Sequence, residues 1–111
     1  MELPVNGARG EVGVTIGGVE IVLAATMKGL AAVSEELGCK SMNDLFARLS
    51  DAEINAAIVG LRHLTVQGDA AAAIERLNLS HFASLSTAFQ AALAHHFKGD
   101  QAGNGKAKGK A

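Results

Sequence analysis

The chain has 111 residues, of which 49% are hydrophobic, and a net charge of −1 at pH 7. This length suits one domain, and the near-neutral charge excludes long-range electrostatic steering toward nucleic acid or an anionic membrane. The single cysteine excludes an internal disulfide, and neither a secretory leader nor a run of about 18 apolar residues occurs, so we expect a cytoplasmic protein with no membrane association.

The N-terminal part of the sequence predicts a β-hairpin. Residues 1–9 are a flexible lead-in, and apolar residues then alternate over residues 11–16 and again over residues 19–23. The intervening Gly17-Gly18 pair is typical of a two-residue hairpin turn, because glycine readily adopts the positive φ angles that this turn requires. A phosphate-binding loop would place its glycines before a helix, whereas these lead into a second strand and no GK[ST] sequence follows.

Helical periodicity begins at Thr26 and predicts four or five helices in the rest of the chain. The first helix ends at Gly38, since glycine is a common C-terminal stop. Gly29 within this helix is expected to weaken it by up to about 1 kcal/mol relative to alanine. The residues of this helix that recur at three- and four-residue spacing are Met27, Leu30, Ala31, Ser34 and Leu37.

Capping residues divide the remaining helices. Ser41 opens a short second helix, and the sequence Ser50-Asp51-Ala52-Glu53 is a capping box that opens the third. Gly68-Asp69 ends the third helix and caps a short fourth, and Ser80 caps the last and longest helix, at about residues 81–98. The predicted inward residues of the second, third and last helices are Met42, Leu45, Phe46, Leu49, Ile54, Ala57, Ile58, Leu61, Phe82, Leu85, Phe89, Leu93 and Phe97.

The segment after Gly99 reads DQAGNGKAKGKA and contains no large apolar residue. We expect it to be disordered, because it cannot bury enough surface to offset its conformational entropy. The predicted fold is α+β and mainly α. It comprises a flexible lead-in at residues 1–9, a single domain at residues 10–98 with an N-terminal β-hairpin and four or five helices, and a disordered C-terminal tail at residues 99–111.

The potentially reactive residues do not match a known catalytic or metal-binding pattern. His95 and His96 are adjacent, so on a helix they point about 100° apart and cannot chelate one ion together. Cys39 has no CxxC partner, and no serine lies in a GxSxG sequence. We therefore predict no enzymatic activity, no cofactor and no metal site.

The basic residues of the tail do not predict a nucleic-acid site. Lys106, Lys108 and Lys110 neutralise few phosphates, so they would provide only weak and salt-sensitive binding. A solubilising tail or a tether is the alternative interpretation. We expect no specific nucleic-acid partner.

The last predicted helix lacks charge on every side. No Asp, Glu, Lys or Arg lies between Arg76 and Lys98. Because solvated helix faces normally carry charge, an uncharged outer face indicates a contact surface for another protein. The alternative is that alanine was selected here for helix propensity alone. The candidate partner-binding residues on the outer face are Ser84, Thr87, Ala88, Ala91, Ala94 and His95.

The run GEVGVTIGGVEIVLAATMKGLAAVSEELG, followed by MNDLFARLSDAEINAAIVGLRH, resembles a family of small tail proteins of tailed phages and gene transfer agents. Members of this family are described as tail assembly chaperone-like or tail tube-associated, and they have a short strand pair followed by helices. The resemblance covers about residues 10–98. The matching residues are Gly10, Glu11, Val12, Gly18, Leu30, Glu35, Leu37, Gly38, Leu45, Leu49 and Leu61.

The resemblance implies a non-catalytic phage, prophage or gene transfer agent protein that acts in tail morphogenesis. An assembly chaperone of this kind binds the tape measure protein and recruits tail tube subunits, and it is compatible with a homo-oligomer. Two alternatives remain open: a minor structural component of the finished tail tube or its junction, which would be associated with the virion, and a small DNA-binding regulator.

Overall fold

The computed structural model describes the backbone of residues 3–108 and the side chains of residues 3–95. The predicted class is confirmed, since the described residues form an N-terminal hairpin followed by five helices, with one additional short strand. The elements are β1 (Val12–Ile16), β2 (Val19–Leu23), α1 (Met27–Leu37), α2 (Met42–Ser50), α3 (Ile54–Leu64), β3 (Thr65–Gln67), α4 (Ala70–Arg76) and α5 (Phe82–Lys108).

The predicted hairpin turn is confirmed. β1 and β2 pair in antiparallel register, with Ile16 opposite Val19, and Gly17 and Gly18 form the turn with φ angles of 56° and 85°. Gly17 has a second role as well: a Cβ at this position would lie 2.7 Å from the Cβ of Arg76 in α4. The turn therefore needs glycine for its backbone conformation, and the packing of α4 needs it for space.

The sequence did not predict β3. This strand pairs antiparallel with β2, where Val22 lies opposite Gln67, and gives a sheet with the strand order β1-β2-β3. The third helix accordingly ends at Leu64 and not at Gly68. Three residues are too few to show alternation, and Val66, the central apolar residue, is exposed. In this sheet β1 is an edge strand.

The hydrophobic core lies between the inner face of the sheet and the helices. Phe89 of α5 is its largest fully buried side chain, and it packs against α3 at Gly60. A Cβ on Gly60 would lie 2.9 Å from Cζ of Phe89 and 3.0 Å from Cδ2 of Leu49. The glycine therefore provides the space that the phenylalanine ring occupies.

Gly29 has a packing role that its sequence context did not predict. A Cβ on Gly29 would lie 2.8 Å from both the carbonyl oxygen of His63 and Cδ2 of Leu64. The glycine allows α1 to cross closely over α3, and this tertiary contact offsets the expected loss of helix propensity. The same two helices are also joined at the surface, where Glu36 accepts hydrogen bonds from His63 and Arg62, and these bonds lower the pKa of the Glu36 carboxyl.

Two of the predicted helix caps are confirmed. The Ser41 hydroxyl accepts a hydrogen bond from the backbone N–H of Asp44 at 3.0 Å, and an Asp69 carboxylate oxygen accepts one from Ala72 at 3.0 Å. Each side chain thereby satisfies one of the free N–H groups at the start of its helix.

The predicted capping box is wrong. Ser50 is the last residue of α2, and the chain then turns through Ala52, which has a φ angle of 52°. Glu53 precedes α3 without a capping hydrogen bond from its side chain, and its carboxylate instead pairs with Arg48 at 2.8 Å. Ser80 is also not the cap of the last helix.

Asn78 performs that capping role. Its side-chain oxygen accepts a hydrogen bond from the backbone N–H of Ser80 at 2.9 Å, and it begins a 3-10 turn, Leu79–His81, that leads into α5. The ring of His81 accepts a hydrogen bond from the backbone N–H of Asn78 at 3.1 Å. The start of α5 is therefore fixed by a reciprocal pair of hydrogen bonds.

Three residues at the periodic or inward positions of the predicted helices are exposed. Met27, Met42 and Ile54 expose 58%, 53% and 59% of their surface. Each is the first residue of its helix. Smaller residues contribute to the core in α3, where Ala56 and Ala57 are fully buried.

The last helix continues beyond its predicted end. The sequence placed that end at about Lys98, whereas α5 is helical to Lys108. The backbone is therefore helical over residues 99–108, which are most of the segment predicted to be a disordered tail. The side chains of residues 96–111, which include Phe97 and His96, lie outside the described residues.

We expect Gly17→Ala to destabilise the protein more than Gly18→Ala does. Both substitutions place a side chain at positive φ, which costs about 1–2 kcal/mol. Only the Cβ at position 17 also meets Arg76, which adds about 1 kcal/mol or more of overpacking. Urea unfolding of the two variants measures the difference. Equal losses would show that Arg76 moves aside without cost.

We expect removal of residues 99–111 to change the melting temperature by less than about 3 °C, because the segment has no large apolar side chain to bury. Thermal unfolding of the full chain and of a chain ending at Lys98 measures this. A loss of about 10 °C or more would show that the segment packs against the domain.

Candidate functional site

Over residues 82–95, where the side chains of α5 are described, the exposed residues form an uncharged strip, which we call the outer face. Ser84, Thr87, Ala91 and Ala94 are all exposed, as predicted. Phe89, which lies about 160° from Ala91 around the helix, is only 1% exposed. The inward and outward directions of α5 therefore follow the predicted pattern at these positions.

Two of the predicted partner-binding residues do not belong to the outer face. Ala88 is 4% exposed and forms part of the core. It is buried because α5 packs on β1 as well as on α2, so the covered arc of the helix is wider than the stripe of large side chains. His95 is half-buried, with its ring stacked where a Cβ on Gly10 would be.

His95 and Gly10 together position the lead-in on the domain. Gly10 has a φ of 81° and ends a 3-10 turn, Gly7–Arg9, that precedes β1. The ring of His95 lies against this glycine and lines the same depression as Ala24, Thr26 and Ala92. His95 therefore has a structural contact that accounts for its position.

The other side of α5 is polar and satisfied within the chain. The Ser86 hydroxyl donates a hydrogen bond to the carbonyl oxygen of Ser50 at 2.6 Å, and the Gln90 amide donates one to the same oxygen at 3.1 Å. These bonds join α5 to the end of α2.

The outer face continues onto the sheet. A groove runs between α5 and the edge strand β1, and none of its lining residues is charged. Its β1 side is formed by Val12, Gly13 and Val14, and its α5 side by Ala83, Ser84, Thr87, Ala88 and Ala91. The contribution of β1 was not predicted, because the position of α5 beside this strand depends on the tertiary fold.

A second apolar groove lies between α1 and α2. It is lined by the exposed side chains of Met27 and Met42 and by the half-buried ring of Phe46. Methionine side chains are flexible and adapt to varied apolar partners. The sequence did not predict this groove, because Met42 was placed on the inward side of its helix and Met27 on the recurring positions of the first helix. Their position as the first residue of each helix is the signal that was available.

The reactive side chains do not converge in the described part of the chain. Within residues 3–95, no buried polar or charged side chain occurs, and no three His, Cys, Asp or Glu residues lie close enough to hold a metal ion. Cys39 is half-buried beside the guanidinium of Arg48, whose Nη1 also donates to the carbonyl oxygen of Leu37 at 3.2 Å. This cluster joins the end of α1 to α2 and has no adjoining base.

A comparison of the chain with protein-family models, curated proteins and solved structures gives no match. No helix among the described residues is sufficiently long and apolar to cross a membrane. The function is therefore inferred from the surface of the domain and from the sequence resemblance.

We expect Phe89→Ala to lower the free energy of unfolding by about 3–5 kcal/mol, because it leaves a cavity between α5, Gly60 and Leu49. Ala91→Ser is the matched control on the exposed side of the same helix, with an expected effect below about 0.5 kcal/mol. Urea unfolding measures both values. Similar losses for the two variants would mean that α5 has a different rotation about its axis.

Proposed function

We propose that this protein is a non-catalytic adaptor of phage, prophage or gene transfer agent tail morphogenesis. In this role it acts in the host cytoplasm as an assembly chaperone that binds the tape measure and tail tube proteins. The observation that supports the proposal most directly is the uncharged surface formed by the outer face of α5 and the adjoining groove beside β1.

The composition of this surface favours a protein partner. The central parts of protein interfaces are depleted of charge, because each buried charge must be desolvated and paired. Ser84, Thr87, Ala91 and Ala94 are small, so a partner helix or strand can approach the backbone of α5 closely. The tape measure protein is long and apolar-rich, so during assembly it needs a partner whose uncharged surface can cover it.

The residues that carry the family resemblance have structural roles in the domain. Leu30, Leu45, Leu49 and Leu61 are buried in the core. Gly18 forms the hairpin turn, and Gly10 and Gly38 each adopt a positive φ angle. The residues that carry the resemblance thus specify the fold, and the proposed function rests on the surface described above.

The DNA-binding alternative has less support. Arg48 and Arg62 are paired with carboxylates, and Arg76 donates a hydrogen bond to the carbonyl oxygen of Gly17 at 2.9 Å. These arginines are engaged in internal contacts. The outer face itself provides no cation for a phosphate.

We expect Ala91→Glu to weaken binding to the tape measure or tail tube protein, or self-association, while the domain remains folded. The new carboxylate would have to be desolvated in the contact without a partner charge. Ala71→Glu, on the exposed part of α4, is the matched control and should bind as the unaltered protein does.

The measurement is a pull-down of each variant with the co-expressed tape measure and tail tube proteins, together with sedimentation of the purified variants. Circular dichroism establishes that both variants are folded. A folded Ala91→Glu protein that still assembles and still captures both tail proteins would contradict the proposal for this surface.

The chaperone and structural roles predict different fates for the protein. An assembly chaperone is released before the particle is complete, whereas a component of the tail tube or its junction remains. Mass spectrometry of purified particles distinguishes them. We expect the protein to be missing from mature tails, and its presence at a stoichiometric level would favour the structural role.

A further inference from the structure

We propose that β1 pairs in antiparallel register with β1 of a second copy of this chain, which joins the two three-stranded sheets across a two-fold axis. The proposal concerns the protein alone and does not require a role in tail assembly. It follows from the hydrogen-bonding groups on the β1 edge, the register that they allow, and the charges at the two ends of the strand.

The outward hydrogen-bonding groups of β1 belong to Gly13 and Thr15. In a hairpin with a two-residue turn, the residues that flank the turn exchange hydrogen bonds, and every second pair does so from there. Ile16, Val14 and Val12 therefore bond to β2, and the N–H and C=O groups of the two residues between them point to the open edge. Neither residue has another hydrogen-bond partner within the described residues.

One register satisfies all of these groups. If the two-fold axis passes beside Val14, then Gly13 of each copy lies opposite Thr15 of the other. Two residues paired in this way exchange both of their backbone hydrogen bonds. Two such pairs form four hydrogen bonds, so each outward N–H and C=O group of Gly13 and Thr15 finds a partner.

The side chains also suit a symmetric contact. Val14 of one copy would lie opposite Val14 of the other, in the pair type that brings side chains closest. A two-fold contact places each residue of the patch near its own copy, so charged residues would repel across it. β1 contains no charged residue, no proline and no bulge, which are the features that protect the edge strands of monomeric proteins.

The charges at the two ends of β1 are complementary in the same register. Glu11 precedes the strand and would lie opposite Gly17 of the second copy. In each copy the guanidinium of Arg76 is held beside Gly17, because its Nη1 donates a hydrogen bond to the Gly17 carbonyl oxygen at 2.9 Å. The carboxylate of each copy thus approaches the guanidinium of the other, once at each end of the contact.

Site-specific disulfide formation tests the register. We expect a Cys39→Ser/Val14→Cys protein to form a covalent dimer under mild oxidation, because opposed residues of a non-hydrogen-bonded pair lie about 4.5 Å apart at Cα, within the range of a disulfide. Cys39→Ser/Thr15→Cys is the matched control. In this register the Cα atoms of the two Thr15 residues lie diagonally across the contact, farther apart than the limit of about 7 Å for a disulfide. Thr15 is nonetheless more exposed than Val14.

Sedimentation tests the hydrogen bonds. We expect the unaltered chain to sediment at twice its mass of 11.3 kDa, and Thr15→Pro to raise the dimer dissociation constant on the order of tenfold or more. Proline removes an outward N–H while leaving the β1–β2 hydrogen bonds intact. Thr15→Val, which keeps the N–H, should dimerise as the unaltered chain does, and thermal unfolding establishes that both variants are folded.

The proposal is overturned if the purified chain remains a monomer at concentrations up to about 100 μM. The dissociation constant would then exceed that of a specific dimer. The proposal is also overturned if the two cysteine variants cross-link equally. Pull-down of the tail proteins separates this result from the proposed function: a monomeric chain that still captures the tape measure protein refutes the dimer alone. A dimer that captures neither tail protein refutes the adaptor role alone.

Discussion

The contact between Phe89 and Gly60 determines the orientation of α5. The uncharged surface formed by the outer face of α5 and the groove beside β1 depends on that orientation. The phenylalanine ring occupies the space that a side chain at position 60 would take, with Leu49 on its other side. Close packing of this kind allows only one rotation of the helix about its axis. Ala91 and Ala94 are outward because Phe89 is inward.

The same contact explains why the uncharged surface includes two different elements. With Phe89 fixed over α3, the flank of α5 that carries Ala88 packs against β1, the edge strand of the sheet. The exposed strip of the helix and the open edge of the strand therefore adjoin each other in a single groove. The proposed self-pairing of β1 and the proposed tail-protein contact of α5 would therefore lie on one side of the domain.

Local signals in the sequence were sufficient for the features that depend on local geometry. The Gly17-Gly18 turn, the stop at Gly38, and the caps at Ser41 and Asp69 follow from backbone conformation and nearby hydrogen bonds, and all are present. The capping box at Ser50 matched its pattern but failed, because the chain turns at Ala52 and the Ser50 carbonyl is used by α5. A hydrogen bond from a distant helix cannot be predicted from a four-residue motif.

Tertiary contacts determined the remaining features. Ala88 was predicted to be exposed from a helical wheel centred on large side chains, whereas the sheet covers that position. β3 is too short to show a period, and Gly29 and Gly60 appear as weak points of their helices until the crossing helix is known. The candidate site was thus predictable as an uncharged helix face. Its extension onto β1 was not, since nothing local indicates which strand lies beside α5.

The proposed adaptor role requires that the outer face of α5 contact a tape measure or tail tube protein during assembly. Site-specific photo-cross-linking tests it most directly, with a photoreactive amino acid at Ala94 in one protein and at Glu75, an exposed residue of α4, in another. Both proteins are produced in cells that express the tape measure and tail tube proteins, and the cross-linked products are identified by mass spectrometry. We predict a product with one of these two proteins from position 94 and none from position 75. Cross-linking from position 75 alone, or from neither position, would contradict the account.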